Sequence, residues 1–136
     1  MREYIFDGST IHSLDDWWDA WQNIVRGPEW ELFGRSGNAY LDSIGGGPGG
    51  PERPCRIVIN NSTSLVNNLG IDQTRKELIR EKKIAHSSAH RNIDEQLRLL
   101  DYGQGERAYN QVIDPLIGFP GIHLVLHPDR DDDGDD

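Results

Sequence analysis

Apolar residues fall along the chain in short blocks, and the spacing within each block assigns an element. Tyr4-Ile5-Phe6 is a brief apolar run closed by Asp7-Gly8, which predicts a strand and a turn. Leu14, Trp17, Trp18, Trp21 and Val25 recur at helical spacing and make one apolar face. Ser13, with Asp16 three residues on, supplies a hydroxyl cap and an early acid at the helix start, and Gly27-Pro28 ends it. Core packing accounts for the tryptophan stripe. Glu29 to Gly37 reads as a loop with aromatic anchors at Trp30 and Phe33, followed by a short helix from about Asn38 to Ile44. The Gly/Pro-rich stretch from Gly45 to Pro54 has almost no side chains to bury and is expected to be mobile or extended.

Ile57-Val58-Ile59 is continuously apolar and β-branched, the signature of a strand covered on both faces. From Thr63 to Leu100 the pattern is helical in at least two pieces. Leu78, Ile79 and Ile84 give a weak face; Ile93, Leu97 and Leu100 give a stronger one; the polar stretch His86 to His90 separates them. A further helix is expected from Glu106 to about Leu116, with Pro115 disturbing its last turn. Ile122 to Leu126 is the last strand, stopped by His127-Pro128. Strands separated by helices imply parallel pairing and right-handed crossovers. The expected fold is therefore α/β: one domain over residues 1–128 with a small three-stranded parallel sheet packed with helices, then a disordered acidic tail at 129–136.

Charge narrows the partners. The chain has 136 residues, 14 Lys and Arg against 23 Asp and Glu, and a formal net charge of −9. The tail from Asp129 supplies six of those acids against one arginine, leaving a modestly acidic body. Such a protein repels phosphate, so no direct nucleic-acid binding is expected. A basic protein partner is the better match, because opposite fields speed encounter. The one cysteine, Cys55, excludes an internal disulfide and reads as a small buried hydrophobe. No apolar segment follows Met1-Arg2-Glu3-Tyr4 as a leader would need, and no stretch reaches membrane-spanning length, so a cytoplasmic address without membrane contact is expected.

Metal and phosphate motifs are not supported. His86 and His90 stand four apart, but lack the His-Glu-x-x-His acid and a third ligand, and His123 and His127 lack the same partners. The glycine run Gly45–Gly50 lacks the Lys-Ser/Thr ending of a phosphate loop. The tail aspartates lack calcium-loop spacing. No metal and no cofactor is expected.

Two segments carry a resemblance. The opening Asp7-Gly8-x-x-Ile11-x-Ser13-Leu14-x-Asp16 is similar to the first strand, turn and helix start of the barstar family of ribonuclease inhibitors. Pro28-Glu29-Trp30, then Phe33-Gly34-Arg35-Ser36-Gly37-Asn38-Ala39-Tyr40-Leu41-Asp42-Ser43-Ile44, resembles that family's inhibitory loop and helix. Phe33, Gly34, Ala39, Asp42 and Ile44 match in type and spacing. Two extra residues separate Trp30 from Phe33, Asn38 replaces the family's first aspartate, Ser36 an asparagine, and Leu41 a tryptophan. The resemblance implies that the Asp42 carboxylate enters a nuclease active site at the phosphate position. Counting back from the last strand, Asp114 matches an acidic residue of the family's final helix, which faces a basic partner. Residues 60–105 do not align.

The resemblance implies a non-enzymatic inhibitor of a secreted or toxin ribonuclease, an antitoxin or immunity protein that blocks the site by occlusion. The partner-binding residues it implies, with the aromatics of the same loop and helix, are Trp30, Phe33, Gly34, Arg35, Asn38, Tyr40, Leu41, Asp42 and Asp114, Phe33 being expected to anchor the loop inward. A carboxylate on a rigid helix can stand in for one phosphate and accept bidentate arginine contacts. Two other readings stay open. One is a barstar fold reused as an interaction module, or as immunity to a toxin that is no nuclease, which Asn38 and the long 60–105 span keep alive. The other is a hydrolase pairing Asp42 and Asp114 with a histidine.

Overall fold

The computed structural model describes residues 1–27, 36–47 and 49–130. The first strand, β1 (Arg2–Asp7), is followed by one 3-10 turn at Gly8–Thr10 and by helix α1 (Leu14–Trp21). Ser13 caps α1 as its sequence predicts: its hydroxyl oxygen accepts from Asp16 N–H at 3.1 Å, while Asp16 Oδ2 accepts from His12 N–H at 2.9 Å. The helix then widens into one π-type stretch, Gln22–Arg26, which the periodicity alone did not predict. Its closing bond runs from Gly27 N–H to the Gln22 carbonyl at 2.8 Å, with Gly27 at φ 87°. The Gln22 side chain stabilises that end, accepting from Arg26 Nε and donating to the Gly27 carbonyl.

Helix α2 (Gly37–Ile44) starts at Ser36, whose hydroxyl oxygen accepts from Ala39 N–H at 3.1 Å. Strand β2 (Cys55–Asn60) leads into α3 (Ser62–Asn68), α4 (Ile71–Ile84), a 3-10 turn at Ser87–Ala89, and α5 (His90–Asp101). The 60–105 span thus holds three helices; the break near His86 falls where polarity predicts it, and a second lies at Leu69-Gly70. Helix α6 (Ala108–Gly118) contains Pro115, and β3 (Ile122–Leu126) is the last strand among the described residues.

The sheet is three-stranded and fully parallel in the order β1-β2-β3, so the α/β class expected from the alternation of strands and helices is observed. Tyr4, Ile57 and Leu124 stand in register across it, as do Phe6, Ile59 and Leu126. That face packs on Trp17, Trp21, Tyr40, Ile44, Val112 and Leu116, which are all fully buried. On the opposite face Val58 is buried too, so the Ile57-Val58-Ile59 run is covered on both sides as its sequence predicts, while Ile5 of β1 is 52% exposed and Arg56 pairs with Glu3 at the surface.

The glycine-rich segment is not a slack connection. Gly45 N–H donates to Leu41 O, Gly47 N–H to Asp42 O at 2.8 Å, and Gly50 N–H to Gly47 O. A Cβ on Gly47 would lie 2.7 Å from Asp42 O, and one on Gly50 would strike Ser43 O. The glycines are there for close approach: they let the chain fold back over the last turn of α2. Glu52 N–H donates to the Tyr4 hydroxyl and Arg53 to Ile44 O, fixing the exit.

The boundary placed at 129 moves as well. Asn61, at φ 54°, makes no cap of its own on α3; its amide donates to Asp7 Oδ1 instead. Asp129 supplies the missing cap from the far end of the chain, accepting from Ser64 N–H at 3.0 Å and from the Ser64 hydroxyl. Asp129 therefore belongs to the folded body. The rest of the acidic tail expected to be disordered, 131–136, lies outside the described residues.

Candidate functional site

Helix α2 presents two opposite faces, and Tyr40 is the hinge of the arrangement. Its ring stands edge-on to Trp21 at 4.9 Å and to Trp17 at 6.2 Å between centroids. Its hydroxyl donates to Val112 O on α6 at 2.6 Å. One turn on, the Ser43 hydroxyl oxygen accepts from Trp21 Nε1 at 3.0 Å. Burial pushes the Tyr40 phenol well above its ordinary range. Tyr40 was placed with the partner-contacting residues; at 0% exposure it presents no surface and instead clamps α2 to α1 and α6.

With Tyr40, Ser43 and Ile44 turned inward, Asn38, Leu41 and Asp42 face outward, spaced three and four apart on one helical stripe. Leu41 is 42% exposed. The Asp42 side chain is exposed and has no hydrogen-bond or ion-pair partner among the described residues, while its own carbonyl is held by Gly47. Trp30, Phe33, Gly34 and Arg35 lie outside the described residues.

Asn38 and Leu41 also line a cleft of about 880 Å³ that no motif announced. Five helices line it, α5 through Gln96 alone. From α1 come Leu14, Asp15 and Trp18, and from α4 a stripe including Thr74, Glu77, Leu78, Glu81 and Ile84. The α6 wall carries Ala108, Gln111, Asp114 and Pro115, and Glu106 precedes it. Asp114, exposed on α6, thus shares one cavity with Asn38 and Leu41, whereas Asp42 stands outside it. Burial first, and then the Asp114 carboxylate, push the neighbouring Tyr109 phenol up. The sequence signal that would have found the α4 wall is its stripe of polar residues at positions 74, 77 and 81 ending in an apolar Ile84.

Two buried or half-buried bonds hold α4 in place. Glu77 Oε2 accepts from Leu14 N–H at 2.9 Å, meeting an orphan donor at the start of α1. The Thr74 hydroxyl donates to Gly70 O at 2.7 Å and accepts from Ala108 N–H at 2.8 Å, doing the same for α6. Arg80 pairs with Asp15 at 2.9 Å across the cleft.

The other candidate chemistry does not assemble there. No histidine lines the cleft among the described residues, so Asp42, Asp114 and a histidine do not form an acid–base set in it. Among the described residues no three His, Cys, Asp or Glu side chains gather as a metal site, and no helix is long and apolar enough to cross a membrane. Cys55 is fully buried, and burial pushes its thiol up, as a small core residue requires.

No protein-family profile matches the chain. No curated protein compared with it matches either.

Proposed function

We propose that the protein is a cytoplasmic, barstar-like inhibitor of a basic ribonuclease or toxin domain, acting by occlusion through the outward stripe of α2. The observation that carries this reading is Asp42: an exposed carboxylate without a partner among the described residues, on a helix clamped from behind by Tyr40 and Ser43. A nuclease site must gather arginine, lysine and histidine around a phosphodiester, and an anion offered on a rigid support meets that field at little ordering cost. Asn38, Leu41 and Asp114 are the flanking contacts.

The experiment is inhibition of a panel of small basic ribonucleases by the wild type and by Asp42→Ala. The expected result is one-to-one inhibition by the wild type, with Kd raised roughly a hundredfold in the variant, about 3 kcal/mol for removing one member of a desolvated charge pair. Equal inhibition by both proteins would remove Asp42 from the site. No inhibition by the wild type would favour the second reading, a barstar-like fold directed at a toxin of another class. Asn38, standing where the resemblance predicts an acid, is the residue that motivates that alternative.

A further inference from the structure

We infer that the cleft between α2 and α4 is a second docking site, which receives a basic segment of the partner protein: a lysine- or arginine-bearing stretch with an apolar side chain next to the charge. The inference rests on the partner-binding reading above, without requiring that the partner be a nuclease.

The balance of charge inside the cleft sets the sign of the occupant. Asp15 is paired with Arg80, and Glu77 is committed to the Leu14 N–H. Arg107 donates to the neutral Gly103 and Gly105 carbonyls and keeps its charge, so the lining sets five carboxylates, Asp15, Glu77, Glu81, Glu106 and Asp114, against the two guanidinium groups of Arg80 and Arg107. The balance is acidic, and Glu81, Glu106 and Asp114 have no ion pair or hydrogen bond among the described residues. Unpaired carboxylates around one cavity repel one another and gain when a cation enters. They equally turn away acidic peptides and nucleic acids.

Apolar surface sets the rest of the occupant's chemistry. The floor includes the buried Trp18 and Leu78, and the rim carries Leu41 and Ile84, the latter 82% exposed. Ile84 was expected on an apolar helix face, yet α5 covers only Leu78 of that set, leaving Ile79 and Ile84 in water. An apolar side chain beside the cation would cover Ile84 and Leu41 while the charge meets the carboxylates. About 880 Å³ is room for several side chains, so the occupant is a segment and not one residue. The Glu77 and Thr74 bonds fix the α4 wall before anything binds, which lowers the ordering cost. The span 60–105, unaligned with the inhibitor family, thereby acquires a role: it supplies the wall that distinguishes this chain's partner.

The test is a nuclear magnetic resonance titration of the full, 15N-labelled chain with the capped peptide Leu-Arg-Leu-Arg at low salt, beside Leu-Glu-Leu-Glu. Saturable shifts confined to the amides around Leu41, Ile84, Ala108 and Gln111 are expected with the basic peptide and not with the acidic one. Combining Glu81→Gln with Asp114→Asn should weaken binding roughly tenfold. Asp72→Asn, outside the cleft on α4, should leave it unchanged. Asp42→Ala should also leave peptide binding unchanged while weakening ribonuclease inhibition roughly a hundredfold, so the two proposals fail separately. Shifts spread over the whole acidic surface, or equal weakening by Asp72→Asn, would overturn the inference. So would peptide binding that appears only after residues 28–35 are replaced by a Gly/Ser linker, which would give the cleft to that segment. Concentration-dependent dimerisation that shifts the same amides without peptide would give it to a second copy, and would overturn the inference too.

Discussion

Ser43 lies behind the outward stripe of α2, where its hydroxyl oxygen is the acceptor for Trp21 Nε1 in the buried aromatic cluster. Ser43→Ala removes that acceptor without creating a large void, so the indole N–H is left buried and unpaired. A loss of about 1–3 kcal/mol is expected in urea unfolding, with the slope of the transition unchanged. A loss below a few tenths would mean that the indole finds another acceptor. Two carboxylates set a different residue-level property. Asn61 and Ser9 donate to Asp7, and Ser64 donates to Asp129; both carboxyls are held below the usual range. The unfolded chain therefore binds more protons than the folded one in acid. The stability these groups contribute is complete above the unfolded value of about 3.9 and is lost as pH falls through the folded values. Melting temperature should fall below about pH 4, and less steeply in Asp129→Asn than in the wild type.

At the scale of elements, α4 is attached to both of its neighbours through side chains that meet orphan helix-start donors. Thr74→Val keeps the shape of the residue and deletes the acceptor for Ala108 N–H, a buried group. About 1–3 kcal/mol should be lost, and hydrogen exchange should accelerate first at the start of α6. These attachments also mark what the sequence can and cannot show. β1, α1, α2, β2 and β3 were legible because apolar spacing and the Ser13 cap act locally. The π stretch at Gln22–Arg26 was not, since it depends on where Gln22 and Gly27 meet in space. The packed glycines at Gly47 and Gly50 read as a linker because their contribution is the absence of a side chain. Asp42 and Asp114 are candidates through resemblance alone, and the structure shows both exposed, on α2 and α6. Tyr40 was misread because a tyrosine in a polar stretch says nothing of the core behind it. The α4 wall was missed because Glu77 and Thr74 act on residues far away in sequence.

The whole molecule carries its net −9 on one compact body and a short acidic end. Against a cationic partner, such a field acts chiefly on the rate of encounter. The association rate constant should drop about tenfold or more as salt rises from low to physiological strength, while dissociation changes far less. Removing residues 131–136 should lower the low-salt association rate and leave dissociation unchanged; stopped-flow fluorescence of the tryptophans would follow both. The strand order has a consequence of another kind, for biosynthesis. β2 is central, so its first edge can be paired as soon as residues 2–60 have left the ribosome, but its second edge must wait for Ile122–Leu126. Through the synthesis of all the helices from α3 to α6, the nascent chain carries an open ladder edge along Cys55–Ile59, a template for any passing strand. Ribosome stalling in that interval should leave products that aggregate, and the last five-residue strand, late as it comes, is what covers that edge of β2.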